Sequence, residues 1–110
     1  MAEMHDVTDE TFESEVLRAE TPALVDFWGD HCPACRQISP ILKDLAEAHA
    51  GRVKIVKMHA ADNIATSSRY GIRAMPTVLS FRDGEVRGQL TGARKKADFE
   101  DLIESLLDGP

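Results

Sequence analysis

Residues Ala23-Leu24-Val25-Asp26-Phe27-Trp28 form a nearly continuous apolar run broken by one acid. Such a run has no polar face to turn towards water. It suits a central parallel strand covered on both sides, which constrains the chain to a layered α/β arrangement. Gly29 and Asp30 mark a turn after it. From Ala34 onward Ile38, Ile41, Leu42 and Leu45 recur at helical spacing, predicting a helix that ends near Gly51. Pro40 lies inside that helix, denies a hydrogen bond to the Arg36 carbonyl and predicts a kink. Val53 to Met58 reads as a second strand, parallel to the first because a long helix connects the two.

The flanking segments complete the pattern. Thr8 is placed to cap a helix whose first turn holds Asp9 and Glu10, with Phe12, Val16 and Leu17 as its apolar face and Thr21-Pro22 as its break. Ile64 to Tyr70 predicts a short helix, capped by Asp62 or Asn63 and followed by Gly71. Thr77–Phe81 and Glu85–Leu90 flank Asp83-Gly84, a two-residue hairpin signal, so this pair is antiparallel. A last helix carries Phe99, Leu102, Ile103, Leu106 and Leu107 on one face. The expected fold class is α/β, a central mixed β-sheet flanked by helices on both faces.

At 110 residues and 43 % hydrophobic content, the chain matches one domain over residues 1–110 with a single core. No window approaches the length of apolar sequence that crosses a bilayer, so no membrane partner is expected. The net charge of −6, with both signs mixed along the chain, gives a phosphate backbone little to hold and argues against a nucleic-acid partner. Met1 to Asp6 is polar and acidic, without the basic start and apolar stretch of a leader, which points to the cytoplasm.

The 2 cysteines stand three positions apart as Cys32-Pro33-Ala34-Cys35, between the end of the buried strand and the start of the helix. In a reducing compartment a permanent bridge is not expected, so a bond between them would be reversible. Only a thiolate attacks a disulfide. Cys32, at a helix N-terminus, faces unpaired N–H groups and the positive end of the helix dipole, which favour the charged sulfur. Cys35, one turn inward, is suited to resolve the mixed disulfide. Asp26, in the middle of an apolar strand, is a carboxyl whose burial raises its pKa into a range useful for proton exchange.

Beyond the cysteine motif and Pro40, the segments Val25-Asp26-Phe27-Trp28, Tyr70-Gly71-Ile72-Arg73, Met75-Pro76-Thr77, Asp83-Gly84 and Gly92 resemble thioredoxin over nearly the whole length. The resemblance implies a thioredoxin-like fold and a protein-disulfide reductase that shuttles electrons through a Cys32–Cys35 disulfide, with no bound cofactor. It assigns Asp26 the deprotonation of Cys35 and matches Lys57 to the lysine that interacts with this acid. It makes Met75-Pro76 a cis-proline loop where the Met75 backbone pairs with an extended client. Trp28 and Gly92 would border that groove. The implied partners are disulfide-containing clients and an NADPH-fed, flavin-dependent thioredoxin reductase, or a dedicated equivalent; a monomer is expected.

The chain also departs from the family. Thioredoxins usually carry Gly-Pro between the cysteines, and here Pro33-Ala34 stands instead. Pro33 suits the first helical position, and Ala34 restores a backbone donor expected to help the Cys35 N–H hold the Cys32 thiolate. His31 replaces a tryptophan; protonated, it would favour the thiolate, whereas neutral it is a polar rim residue. The segment Ala60-Ala61-Asp62-Asn63-Ile64 lacks the usual proline and one acid, a change expected to concern loop stability. Three other functions compete: a metal site from His31, Cys32 and Cys35, a redox-inactive peptide-binding module, and a more oxidising disulfide oxidant or isomerase suggested by Pro33. Three crowded ligands fall short of the four that zinc commonly takes, and His5, His49 and His59 are scattered without ligand spacing.

Overall fold

A computed structural model describes residues 4–108. Residues 1–3, the start of the polar N-terminus, and residues 109–110 lie outside the described part. The described residues form a sheet of order β2-β1-β3-β4. Its strands are β1 (Ala23–Trp28), β2 (Lys54–His59), β3 (Thr77–Arg82) and β4 (Glu85–Thr91). Strands β1 and β2 are parallel, whereas β3 runs antiparallel to both β1 and β4. The β1 run that offers no face to water is an inner strand, buried along all but its last residue.

Side chains alternate across this sheet with the period of two that strands impose. Leu24, Ile55 and Val78 point to one face, where they pack with Ile38, Leu42 and Leu45 of α1 (Pro33–Ala48) and Phe99, Ile103 and Leu106 of α3 (Lys96–Asp108). Val25, Phe27, Val56, Met58, Leu79 and Phe81 point to the other, against Val7, Phe12 and Val16, with Tyr70 and Ile72 at its margin. Helical segments therefore cover both faces. Asp26 shares the parity of Leu24, so it faces α1. That parity decides where the site can form.

The hairpin turns on Asp83 (φ 54°) and Gly84 (φ 78°), the pair of left-handed residues that a two-residue turn between twisted strands requires. Two predicted starts differ from what forms. Thr8 does not cap a helix beginning at Asp9. Its N–H donates to Thr11 Oγ1 at 2.9 Å while the Thr11 N–H returns to its carbonyl at 3.0 Å, closing a turn. Regular structure begins only with a π-helical turn, Glu13–Leu17. Asp9 is drawn elsewhere, to the start of α2 (Ile64–Arg69), where its carboxylate accepts from the Thr66 N–H (2.9 Å), the Thr66 hydroxyl (2.6 Å) and the Ala65 N–H (3.3 Å). The Thr66 hydroxyl foremost holds this carboxyl below the usual range.

Asn63 is the N-cap residue of α2, yet its side chain makes no capping bond. Its Oδ1 accepts from the Asp9 N–H and its Nδ2 donates to the His59 carbonyl, both at 2.9 Å. The cap is thus supplied by Asp9, 56 and 57 residues before the Ala65 and Thr66 N–H groups it receives, an exchange across the fold that local spacing does not encode.

Candidate active site

The end of β1 and the start of α1 deliver the cysteines. His31 adopts φ 54°, which turns the chain from the strand into the helix. Cys32 is the N-cap residue, extended at φ −120° and ψ 94°, and its Sγ accepts from the Cys35 N–H at 3.1 Å. Pro33 occupies the first helical turn, where an N–H would have no intrahelical acceptor. Cys32 and Cys35 are joined as a disulfide with Cα atoms 5.3 Å apart. Cys35 is only 7 % exposed, whereas Cys32 is partly open to solvent. Among the described residues, no bond from the Ala34 N–H reaches Cys32 Sγ in this disulfide state; the donor is Cys35.

A second loop closes over the sulfur. Cys32 Sγ lies 3.6 Å from the Met75 carbonyl oxygen. The Met75–Pro76 peptide is cis, with Met75 exposed and Pro76 buried. The Gly92 N–H donates to the Pro76 carbonyl at 2.9 Å, tying the end of β4 to this loop, and Gly92 sits at φ 91°, where a side chain would be strained. His31 is exposed, and its side chain makes no hydrogen bond among the described residues.

Asp26 is buried at 3 % exposure, and its Oδ1 has no hydrogen-bond partner among the described residues. Burial pushes its pKa up to about 7, against the pull of Lys57. Lys57 is its register partner on β2, and the ammonium lies 5.7 Å from the centre of the Trp28 ring. A cleft of ≈ 290 Å³ brings Asp26, Lys57, Trp28, Cys32 and Cys35 to one space, with Arg36 and Ser39 at its wall. A carboxyl that titrates near neutrality and a buried sulfur therefore share a solvent-reachable cleft.

His59 was not singled out by the sequence, yet it stands at this site. Its ring packs on Trp28 with centroids 4.5 Å apart. Its Nε2 bonds Asp30 Oδ2 at 3.1 Å, and its Nδ1 lies 3.0 Å from Asp62 Oδ2. The available signal was parity: His59 follows Lys57 by two on β2 and so shares its face. The loop after β2 thus does more than close upon itself. No group of three or more His, Cys, Asp or Glu side chains among the described residues is arranged to hold a metal ion.

A helix-capping cysteine, a recessed partner one turn behind and a buried acid in the same cleft define a thiol–disulfide oxidoreductase. The thioredoxin family model matches residues 3–105. A thioredoxin of Streptomyces clavuligerus is 45 % identical over 94 residues, covering 86 % of this chain and 87 % of that one. Thioredoxin C-2 of Corynebacterium nephridii is 44 % identical over 97 residues, covering 88 % and 90 %. A thioredoxin of Haemophilus influenzae is 41 % identical over 103 residues, covering 94 % and 96 %. The chain belongs to the thioredoxin family. It is a protein-disulfide reductase working through a redox-active disulfide.

Proposed function

We propose that Cys32 is the attacking sulfur and Cys35 the resolving one. The observation that carries this assignment is the Cys35 N–H at 3.1 Å from Cys32 Sγ at the mouth of α1, a donor already aimed at the sulfur that must hold negative charge. In the reduced protein the Cys32 thiolate attacks a client disulfide. One client sulfur leaves as thiolate and a mixed disulfide forms. Cys35 then loses its proton to Asp26 and attacks Cys32 Sγ, so the second client sulfur leaves and the Cys32–Cys35 bond forms. Two electrons have passed to the client. Burial supports the Asp26 role, because a carboxyl poised near neutrality can both take and return a proton. Lys57 moderates that carboxyl through its charge.

Clients dock as extended segments on the Met75 backbone before Pro76, in a groove bordered by Trp28, His31, Pro33, Ala34 and Gly92. Electrons return from an NADPH-fed, flavin-dependent thioredoxin reductase, or from a dedicated reductase matched to Pro33-Ala34 and His31. The chain acts as a single domain over residues 1–110, as a monomer in the cytoplasm. Insulin reduction tests the assignment. Cys32→Ser is expected to abolish turnover, and Cys35→Ser to trap a Cys32-linked mixed disulfide. Trapping through Cys35 in the Cys32→Ser protein instead would reverse the roles.

A further inference from the structure

One polar side chain in the active-site cleft plays no part in this exchange scheme. Along α1, Cys35, Ser39, Leu42 and Ala46 follow one another at helical spacing, and Cys35, Leu42 and Ala46 are buried. Ser39 is the polar member of that stripe. It is half-buried, at the wall of the ≈ 290 Å³ cleft that Asp26, Cys35 and Lys57 also line. It follows Cys35 by one helical turn, and side chains on a helix lean towards its N-terminus, which brings the hydroxyl towards Cys35.

A serine inside a helix often returns its hydroxyl to the carbonyl one turn earlier. Ser39 does not: its side chain makes no hydrogen bond among the described residues. Across the cleft Asp26 Oδ1 is in the same condition, on a residue only 3 % exposed. Two oxygens without partners and the recessed sulfur thus line one space that water can enter. A hydroxyl donates one hydrogen and accepts through two lone pairs, so it can orient a water between a thiol and a carboxylate. An apolar side chain at this position would leave such a water fewer of the polar partners it needs.

We propose that Ser39 is a positioning residue for the resolving step: its hydroxyl holds the water through which the Cys35 proton reaches Asp26. The proposal rests on Asp26 being the proton acceptor. The Cys35 thiol gives its proton to the water as the water gives one to the Asp26 carboxylate. The Cys35 thiolate then attacks Cys32 Sγ, the bond from Cys32 to the client sulfur breaks, and the client leaves as a thiolate. Ser39 ends as it began. The other charged or titratable groups on this cleft are Lys57, Asp30, His31 and Arg36, and of these Lys57 acts on Asp26 through its charge.

Stopped-flow reaction of the reduced protein with equimolar dithiobis(nitrobenzoate) separates the two steps. The first thionitrobenzoate released reports attack by Cys32, and the second reports resolution by Cys35. Ser39→Ala is expected to leave the first phase unchanged and to slow the second about two- to tenfold, the rate equivalent of one lost hydrogen bond. Alanine is the better helix former, so this variant keeps the fold. Ser39→Thr, which returns a hydroxyl, is expected to resolve at the wild-type rate. In an Asp26→Asn background, where the acceptor is already lost, Ser39→Ala is expected to add no further slowing. A wild-type second phase in Ser39→Ala overturns the proposal. So does equal slowing in Ser39→Thr, or full additional slowing in the Asp26→Asn background. In each case a slow second phase in Asp26→Asn alone leaves Asp26 standing as the acceptor, whereas an Asp26→Asn protein that resolves at the wild-type rate overturns both.

Discussion

At position 26 an ionisable carboxyl stands where β1 would otherwise bury another apolar side chain, and its cost depends on pH. Burial raises the Asp26 pKa to about 7 in the fold, against 3.8 for an ordinary aspartate. Below pH 4 both folded and unfolded chains carry the proton, and the group contributes nothing. Between those values the unfolded chain ionises while the fold keeps its proton, so stability falls as pH rises; above 7 the penalty levels off at ~4 kcal/mol. Chemical denaturation of the oxidised protein is expected to find Asp26→Ala more stable than wild type at pH 8 and nearly equal at pH 4. A constant difference across that range would contradict the buried-acid account. Turnover should fall in the same variant, because the proposed proton acceptor for Cys35 is gone. At position 34 the effect is on potential: Ala34→Pro removes an N–H from the positive end of α1 and should make the couple more reducing. Equilibration with glutathione measures this; an equally or more oxidising variant would refute it.

Among the elements, those with a strong period were legible in the sequence. The run 23–28 and the helix beginning at the cysteines follow from apolar spacing alone, and Asp83-Gly84 announced the hairpin because its left-handed conformations suit few other residue pairs. The site was legible where chemistry is carried by residue type, at Cys32, Cys35 and Asp26. It was not legible at His59, because an imidazole becomes informative only when β2 has placed it between Asp30 and Asp62. Nor did spacing reveal the cap of α2, since Asp9 and Thr66 meet only after the chain has folded. Asp9→Ala should therefore lower the melting temperature although it lies outside any helix. Its folded carboxyl titrates below the ordinary value, so the stabilisation is present above the unfolded pKa and is lost as pH falls through the folded one; wild type and variant should converge in acid. On β4, a Cβ added at Gly88 would lie 2.7 Å from Leu102 Cδ1 and 3.1 Å from Ser80 Oγ. Gly88→Ala is expected to cost ~0.5–1.5 kcal/mol in denaturation, through the turning aside of the Leu102 side chain.

For the whole molecule, the redox bond and the fold are nearly independent. The disulfide spans a sequence separation of 3, so in the chain-entropy account it constrains the unfolded state by only ~2 kcal/mol. The two apolar clusters on either side of the sheet hold the layers together whichever state the sulfurs are in. Far-ultraviolet circular dichroism of reduced and oxidised protein should coincide, with only a modest drop in unfolding midpoint on reduction. Large loss of helix signal on reduction would show the bond to be structural. The outer strand has a different consequence. Register along β4 passes from Ser80↔Gly88 to Phe81↔Val86, leaving Arg87 as an extra residue beside the Glu85 carboxylate, 3.4 Å away. A bulge and opposed charges spoil that margin as a template for another copy's backbone. On the opposite margin the N-terminal segment bridges Lys57 of β2, the Lys57 N–H donating to the His5 carbonyl at 3.1 Å and its carbonyl accepting from the Val7 N–H at 2.8 Å, so each outer strand carries a feature that discourages pairing with another copy.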